Sequence, residues 1–372
     1  MPRLPRFEPL AERLRALGAH PLLAPSQWRR RIALWSGGVL VGVAAIVFAR
    51  ASDLAYAGFE RLLALSPWLP LLVTPLMFAT LAWATQGALR ATRGSGIPQV
   101  LAALEIEDAH FRRSQLALPV ALGKMLLTLL ALAGGASVGR EGPTVHVGAG
   151  LMYNLGRAFG FDDPKMLSRF ILAGGGAGIA AAFNTPLAGV MFAIEELAGT
   201  YEHRFSGLLL TAVIFAGAIS LAVLGDYAYF GTVDAALPLG ASILALLLCG
   251  VCGGLGGGLF ARLILLDERG PLARVAALRA RTPIRFAAAC GLTLALLGAA
   301  SGSAVYGTGY AQAHALLQSA RAPASAFGLM KFIANTLSYW AGIPGGIFSP
   351  ALAVGAGLGH ALSGLIAGAD PA

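Results

Sequence analysis

The sequence predicts an all-α, polytopic integral membrane protein, built from an inverted internal repeat with broken helices that meet near mid-membrane. Three observations predict this fold. The 372-residue chain is 57% hydrophobic and only 12% charged, with a mean hydropathy of +0.72, which is a membrane composition. Glycine-rich stretches containing charged or hydroxyl side chains interrupt its apolar runs. One of these interruptions recurs in register later in the chain.

The central interruption is residues 139–143, Gly-Arg-Glu-Gly-Pro, between the apolar runs 116–136 and 144–155. A carboxylate and a guanidinium are costly at membrane depth, so they generally mark a functional site. Glycine lets the backbone leave helical geometry, and Pro143 suits the first turn of a restarting helix. Broken membrane helices line cavities or buried sites, and their N-termini bind anions. We therefore expect Glu141 at a buried site.

The interruption recurs 207 positions later, where residues 346–350 read Gly-Ile-Phe-Ser-Pro. Lys124 aligns with Lys331, and Glu141 falls opposite Phe348. Interrupted segments at matching positions of two repeats point to a transporter fold with its site at the repeat interface. The alternative, chance similarity between two Gly- and Ala-rich segments, is disfavoured because a lysine and a proline keep register.

This register divides the chain into a cytoplasmic N-terminal segment at 1–31, a first membrane repeat at 32–224 and a second at 237–372. The same offset places the counterpart of residues 166–224 beyond the last residue, so we expect the second repeat to be incomplete at its C-terminal end. Predicted spans cover residues 32–49, 69–89, 204–224, 237–266 and 283–300, and residues 351–367 form the final apolar run.

The formal charge of +9 does not indicate nucleic-acid binding, because the basic residues lie mainly in loops and at the ends. Arginines concentrated before the first apolar run predict a cytoplasmic N-terminus. That basic region is too long and too rich in proline and acids for a cleavable signal. We expect a cell-membrane protein, which in a Gram-negative bacterium means the inner membrane.

Several patterns have a simpler structural interpretation. Polar residues 105–113 are predicted to form a solvated loop rather than a metal site, residues 267–282 a basic loop and residues 307–310 a loop turn. Gly-rich residues 174–178 are predicted to pack helices closely rather than to hold phosphate, and so are three glycines at helix-packing spacing. The three cysteines are predicted to be small packing residues. The three glycines are Gly250, Gly254 and Gly258, and the three cysteines are Cys249, Cys252 and Cys290.

Three polar residues keep two interpretations each. Lys124, within an apolar run, either bonds a carbonyl or acid or contributes positive potential for an anion. Ser95 either caps the helix that follows it, which its chemistry favours, or donates its hydroxyl to a ligand. Glu196, in residues 194–197, Ile-Glu-Glu-Leu, is either interfacial or part of a proton relay.

Residues 94–98, Gly-Ser-Gly-Ile-Pro, complete a set with residues 139–143 and 346–350. In sequence, order and spacing, these stretches resemble the three anion-site motifs of the CLC chloride channels and chloride/proton exchangers. The resemblance extends from about the first span to the last residue. It implies a homodimer in the lipid bilayer with one anion path per subunit. It also implies chloride and protons as partners, with no enzymatic activity, cofactor or metal.

The resemblance assigns site residues by position. It implies that Glu141 is the gating glutamate, which competes with the anion and takes up a proton from outside. It implies that Glu196 is the internal proton glutamate, whose presence favours exchange over a passive channel. Arg140 and Lys124 support the site. The anion-binding set is Ser95, Gly96, Ile97, Ile347 and Phe348.

Two departures from the family bear on these expectations. The chain ends before the last family helix, whose tyrosine completes the central site, and no regulatory domain follows. Leu101 stands where some exchangers carry an acid. We therefore expect a chloride/proton antiporter, with a voltage- or proton-gated chloride channel or an inactive truncated subunit as alternatives. A fluoride exporter is disfavoured, as is a hydrolase using Ser137 with His146, because a membrane helix replaces the strand before Ser137.

Overall fold

The computed structural model describes residues 25–87, 89–198, 207–225, 231, 239–265, 270–318 and 326–363. The helices of the first half are α1 (Pro25–Leu65), α2 (Pro70–Ala84), α3 (Ile97–Glu105), α4 (Ala109–Leu116), α5 (Leu118–Ala133), α6 (Glu141–Ala158), α7 (Pro164–Ala182), α8 (Pro186–Phe192) and α9 (Gly207–Leu224). Those of the second half are α10 (Leu239–Leu265), α11 (Ala273–Arg281), α12 (Pro283–Ala300), α13 (Tyr310–Leu317), α14 (Phe327–Trp340) and α15 (Phe348–Ser363).

The all-helical membrane fold predicted from composition is confirmed. Over the described ranges the chain forms helices and two isolated β-bridges, without a strand. Four helical segments are long and apolar enough to cross a bilayer: Gln27–Leu65, Ala109–Ala133, Ile243–Leu265 and Pro283–Ala300. Pro70–Ala84 and Leu209–Leu224 are shorter apolar helices. Residues 1–24 of the predicted cytoplasmic N-terminal segment lie outside the described residues.

Three regions predicted as loops contain helices. Within residues 105–113, Asp108 accepts a 2.7 Å hydrogen bond from the Phe111 N–H and so begins α4. Arg112 is 1% exposed rather than solvated. Its guanidinium donates to the carbonyl oxygens of Ala103 and Pro164 and to the Ser168 hydroxyl, so it joins α3, α4 and α7. The basic stretch 267–282 contains α11, and the turn at residues 307–310 leads into α13.

Close packing through the glycines of residues 174–178 is confirmed. A Cβ at Gly174 would lie less than 3.0 Å from the carbonyl oxygen of Gly148, and one at Gly178 equally close to that of Thr144. Helices α6 and α7 therefore touch backbone to backbone. This contact fixes the direction of α6, whose first residue is Glu141.

The packing role predicted for Gly250, Gly254 and Gly258 is wrong in this structure. No heavy atom of the described chain lies within 4 Å of a Cβ built at any of them, and no residue of the apolar window of α10 is buried. Among the cysteines, Cys290 is buried in the core, whereas Cys249 is exposed. The packing interpretation is therefore confirmed for Cys290 alone.

The two repeats meet at equivalent residues. The N–H of Gly139 donates to the Gly346 carbonyl, and the N–H of Gly346 donates to the Gly139 carbonyl, both at 2.7 Å. These glycines are the ones that align at the 207-residue offset. A mutual, antiparallel pair of bonds between equivalent residues is what a pseudo-two-fold axis between inverted repeats produces. The axis therefore passes beside Glu141.

Substitution of Gly174 by alanine tests the α6–α7 contact. The new methyl group would meet backbone rather than a movable side chain, so we expect destabilisation of about 1–3 kcal/mol by overpacking. Gly250→Ala is the matched control, since it adds the same methyl group to open space and improves helix propensity. Thermal unfolding in detergent should show a lower midpoint for Gly174→Ala alone. Equal midpoints for the two variants would contradict the close contact.

Candidate functional site

The three motif stretches meet in one place, joined by backbone hydrogen bonds. The Gly94 N–H donates to the Ile343 carbonyl at 3.2 Å, and the Gly345 N–H donates to the Gly94 carbonyl at 3.1 Å. The Gly139–Gly346 pair attaches the central motif to the same loop. The site is therefore an interlocked set of broken-helix ends rather than a cavity between separate domains.

Glu141 is fully buried at the first turn of α6. The Ser349 hydroxyl donates a 2.7 Å hydrogen bond to its Oε1. A side chain at Gly139 would collide with Oε2, so the glycine makes room for the carboxylate. The first turns of α6 and α15 thus hold this acid between them at the repeat interface.

Ser95 is 4% exposed and lies against Gly142, next to Glu141 in sequence. The predicted capping role is wrong. Gly96, with φ at +101°, is the N-cap of α3, and no side chain caps that helix. The Ser95 side chain therefore does not cap α3. Its Oγ is buried without a hydrogen-bond partner among the described residues, so it is available to a ligand.

Two helix N-termini belong to the same site. Ile97 begins α3 two positions after Ser95, and Phe348 begins α15 immediately after Ile347. The first N–H groups of a helix have no intrahelical acceptor and carry the positive end of its dipole. The Phe348 ring packs edge-on against Phe183 and Phe192, with both centroids 6.4 Å away. The structure thus brings the five predicted anion-site residues, Ser95, Gly96, Ile97, Ile347 and Phe348, to the interlocked loops.

Lys124 bonds carbonyls, the first of the two possibilities its sequence allowed. Its ammonium donates to the carbonyl oxygens of Thr92 and Gly94 at 2.8 and 2.5 Å. Lys331 does the same for Val305 and Gly307, at 2.8 and 2.7 Å. Both lysines are fully buried. Each therefore holds a glycine-rich loop in place through its backbone carbonyl oxygens.

Arg140 forms an ion pair with an acid of α1. Its Nη1 donates at 2.7 Å to Asp53 Oδ1 and at 2.8 Å to the Ala49 carbonyl. This ion pair lies in a cavity of about 390 Å³ that is also lined by Glu60 and Tyr310. Much of the arginine's charge is therefore balanced there.

Glu196 is not brought to the anion site. It lies in a π-helical turn, Ala193–Ala198, that follows α8, and both Glu195 and Glu196 are exposed. The Glu196 side chain has no hydrogen bond to another described residue. The turn is nevertheless linked to the site, since Phe192 ends α8 and contacts Phe348.

The described part of the chain does not support a metal site or a hydrolase pair. There, no group of three or more His, Cys, Asp or Glu residues is placed to hold a metal ion. Ser137 and His146 share no hydrogen bond. The Ser137 backbone N–H donates to the Ser338 hydroxyl, and His146 Nε2 bonds the Gln115 carbonyl at 2.9 Å. The two residues therefore do not form the nucleophile–base pair that a hydrolase requires.

Sequence reasoning missed three contributors. Ser349, which bonds Glu141, aligns with Gly142 in the repeat and could have been found from that register. Residues 307–310, Gly-Thr-Gly-Tyr, form a second glycine-rich loop. The Gly307 carbonyl accepts a hydrogen bond from Lys331, as the Gly94 carbonyl does from Lys124. Asp53 carried no sequence signal, because it lies 87 positions before its partner Arg140.

Comparisons with known proteins agree with this architecture. The family model described as "Voltage gated chloride channel" matches residues 77–372. The H(+)/Cl(-) exchange transporter ClcA of Yersinia pestis bv. Antiqua (strain Angola) is 31% identical over 352 residues, covering 87% of this chain and 69% of that protein. The ClcA protein of Yersinia pseudotuberculosis serotype O:3 (strain YPIII) matches equally.

Solved structures share the fold. The crystal structure of a CLC-type fluoride/proton antiporter superimposes with a TM-score of 0.73 at 24% identity, covering 96% of this chain and 84% of that one. A slow cyanobacterial Cl−/H+ antiporter gives the same TM-score and identity, covering 91% and 79%. The fold is thus that of a membrane protein with broken helices meeting at its centre. The chain belongs to the voltage gated chloride channel family, the CLC family that its motifs resemble.

Gly142→Ala tests whether the Ser95 hydroxyl contributes to an anion site. The added methyl group would occupy the space of the hydroxyl and displace it. Since a hydrogen bond to a charged group is worth about 1.5–3 kcal/mol, we expect chloride affinity to fall about tenfold or more. Isothermal titration of the detergent-solubilised protein measures it. Gly355→Ala, which meets nothing within 4 Å, is the control. Unchanged affinity in Gly142→Ala would exclude Ser95 from the site.

Proposed function

We propose that this chain is a chloride/proton antiporter with Glu141 as the gating glutamate in its anion path. The observation that carries the proposal is the position of the Glu141 carboxylate. It is buried where the three motif loops interlock and accepts a hydrogen bond from Ser349. The residue that follows it, Gly142, lies against the Ser95 hydroxyl. The ClcA relatives, which are named H(+)/Cl(-) exchange transporters, support the choice of ions.

The mechanism follows from competition between two negative charges. The first N–H groups of α3 and α15 and the Ser95 hydroxyl offer partial positive charge without a full cation, so an anion binds weakly enough to leave. A deprotonated Glu141 carboxylate repels an anion there and competes for the same donors. Protonation removes that charge and favours anion occupancy. The exchange of anion for proton at one place couples the two flows.

The remaining site residues have supporting roles in this proposal. Lys124 holds the loop before Ser95 by its carbonyl bonds, which keeps the hydroxyl in position. Arg140 and its partner Asp53 form the outer approach to Glu141. Glu196 transfers protons on the inner side. No chemical bond of a substrate is broken, so the protein acts as a transporter and not as an enzyme.

A passive chloride channel is the second candidate, and the position of Glu196 favours it. That side chain is exposed and has no hydrogen bond to the described residues of the anion site. Proton transfer from Glu196 would therefore require water or a rearrangement. Of the exchanger and the channel, only the exchanger can use a chloride gradient to move protons against their own gradient. In either case we propose a homodimer in the cell membrane with a cytoplasmic N-terminus.

Chloride-gradient-driven proton movement into liposomes containing the full chain tests the proposal. An outward chloride gradient should drive uphill proton uptake, measured with a pH electrode, alongside chloride efflux. Chloride efflux without proton movement would favour the channel. Absence of flux for both ions would contradict both candidates.

Glu141→Gln should uncouple the two ions. An amide cannot exchange a proton, so we expect proton uptake to fall to background and chloride flux to lose its dependence on external pH. The unmodified protein should transport faster as external pH falls, because protonation of Glu141 relieves its competition with chloride. Glu60→Gln is the matched control at an exposed acid of the outer cavity. A Glu141→Gln variant that retained coupling would contradict the gating role.

Glu196→Gln separates the internal proton residue from its neighbour. We expect loss of proton coupling with chloride flux kept within about tenfold, since the anion path does not contain this side chain. Glu195→Gln, one position earlier in the same π-helical turn and also exposed, should keep coupling. The ratio of proton to chloride flux in liposomes gives the answer. Equal ratios in both variants would show that Glu196 has no special role.

A further inference from the structure

Three arginines surround a cavity that the proposed anion path does not use. The cavity measures about 510 Å³ and lies between the 3-10 turn Arg90–Thr92, helix α11 and the loop that begins at Gly342. Arg90, Arg93 and Arg279 line it, and its other described lining residues are uncharged. Ser95, Glu141 and Phe348 are not among them. A cluster of three cations from two segments distant in sequence, residues 90–93 and residue 279, is therefore present at a second place.

The guanidiniums in this cavity lack acidic partners in the part of the chain that the structure describes. The ion pair found there joins Arg140 to Asp53 and involves none of the three arginines. Arg93 Nε is buried and donates to no described acceptor. Burial lowers the pKa of Arg93, and the nearby charges of Arg279 and Arg90 lower it further. Arginine nevertheless stays charged in proteins, so within the described residues these three charges repel one another with no acid to balance them.

Size and geometry select the kind of anion. A cavity of about 510 Å³ falls in the range of small-molecule sites, roughly 300–1,000 Å³, and is far larger than one halide ion requires. Guanidinium presents a planar fork of N–H donors that matches the paired oxygens of a phosphate group. Several such forks around one volume suit an anion with more than one charged oxygen. A spherical halide cannot use that geometry.

We propose that the cavity lined by Arg90, Arg93 and Arg279 binds a phosphate-bearing anion, either the headgroup of an anionic lipid or a soluble phosphate compound. The positive-inside rule places this arginine-rich face in the cytoplasm together with the N-terminus. Both sources of phosphate reach that face. The chemistry they share is a phosphate group with at least two oxygens free to accept.

A ligand in this cavity would act on the loops of the anion site. Arg93 immediately precedes Gly94, whose N–H bonds Ile343. A Cβ at Gly342 would lie 3.3 Å from Arg279 Nη2, so that arginine rests on the loop leading to residues 343–346. Bound phosphate would link these two loops and neutralise the repulsion between their arginines. The site is thus a place for regulation of transport by phosphate-bearing ligands.

Binding to the full chain in phosphatidylcholine nanodiscs tests the proposal, with pyrophosphate and phosphatidic acid as probes. We expect Arg93→Gln combined with Arg279→Gln to weaken binding at least about tenfold, since two charge-assisted contacts are lost. Arg113→Gln, which removes an exposed arginine of α4, should leave affinity within about twofold. Pyrophosphate is titrated by calorimetry, and retained phosphatidic acid is counted by native mass spectrometry.

The two probes also separate the sources. Selective binding of pyrophosphate would identify a soluble ligand, selective retention of phosphatidic acid a lipid headgroup, and binding of both the shared phosphate chemistry. Binding of neither probe would overturn the proposal. So would equal binding by the unmodified chain and the double variant.

A second measurement needs no variant at the site. Phenylglyoxal modifies accessible arginines, and the sites of modification are read by peptide mass spectrometry. The probe that binds should reduce modification of Arg93 and Arg279 at least about threefold while leaving Arg113 unchanged. Protection of all three arginines alike, or of none, would contradict a ligand in this cavity.

Discussion

The structure depends on how the backbone of broken helices is hydrogen-bonded where no water is available. Unbonded polar groups are costly in a membrane interior. The reciprocal bonds of Gly139 and Gly346 satisfy backbone groups of two motif loops across the pseudo-two-fold axis, and Lys124 and Lys331 each satisfy the carbonyls of one loop. These bonds use the groups behind the loops. The Ser95 hydroxyl and the first N–H groups of α3 and α15 remain for a ligand.

The distribution of charge follows from the same arrangement. Lys124 bonds the carbonyl oxygens of one motif loop, and Arg140 bonds Asp53 and the Ala49 carbonyl. What faces the candidate path is partial charge from helix ends, together with one titratable carboxylate. In the antiporter that we propose, such a site would hold an anion weakly and respond to protonation, which is the combination that exchange requires. By contrast, the Arg90, Arg93 and Arg279 cavity concentrates full charges and so suits a tightly held, multivalent anion.

The sequence predicted the site from features local to each motif, and it could not predict contacts between distant segments. The glycines, prolines and register of residues 139–143 and 346–350 were enough to place Glu141 at the repeat interface. The favoured capping role of Ser95 was wrong, because the choice between cap and ligand depends on the left-handed turn at Gly96. The burial of Arg112 and the convergence of Arg93 with Arg279 arise from tertiary packing, and no spacing in the sequence encodes it.

The most direct measurement is the anomalous scattering of bromide in crystals of the Glu141→Gln protein, where the competing negative charge is removed. The account predicts a bromide peak within about 3.5 Å of the Ser95 hydroxyl and the N–H groups of Ile347 and Phe348. It also predicts a weaker peak at that position in the unmodified chain. Absence of bromide there in the variant, with bromide ordered elsewhere, would contradict an anion path built from these helix ends.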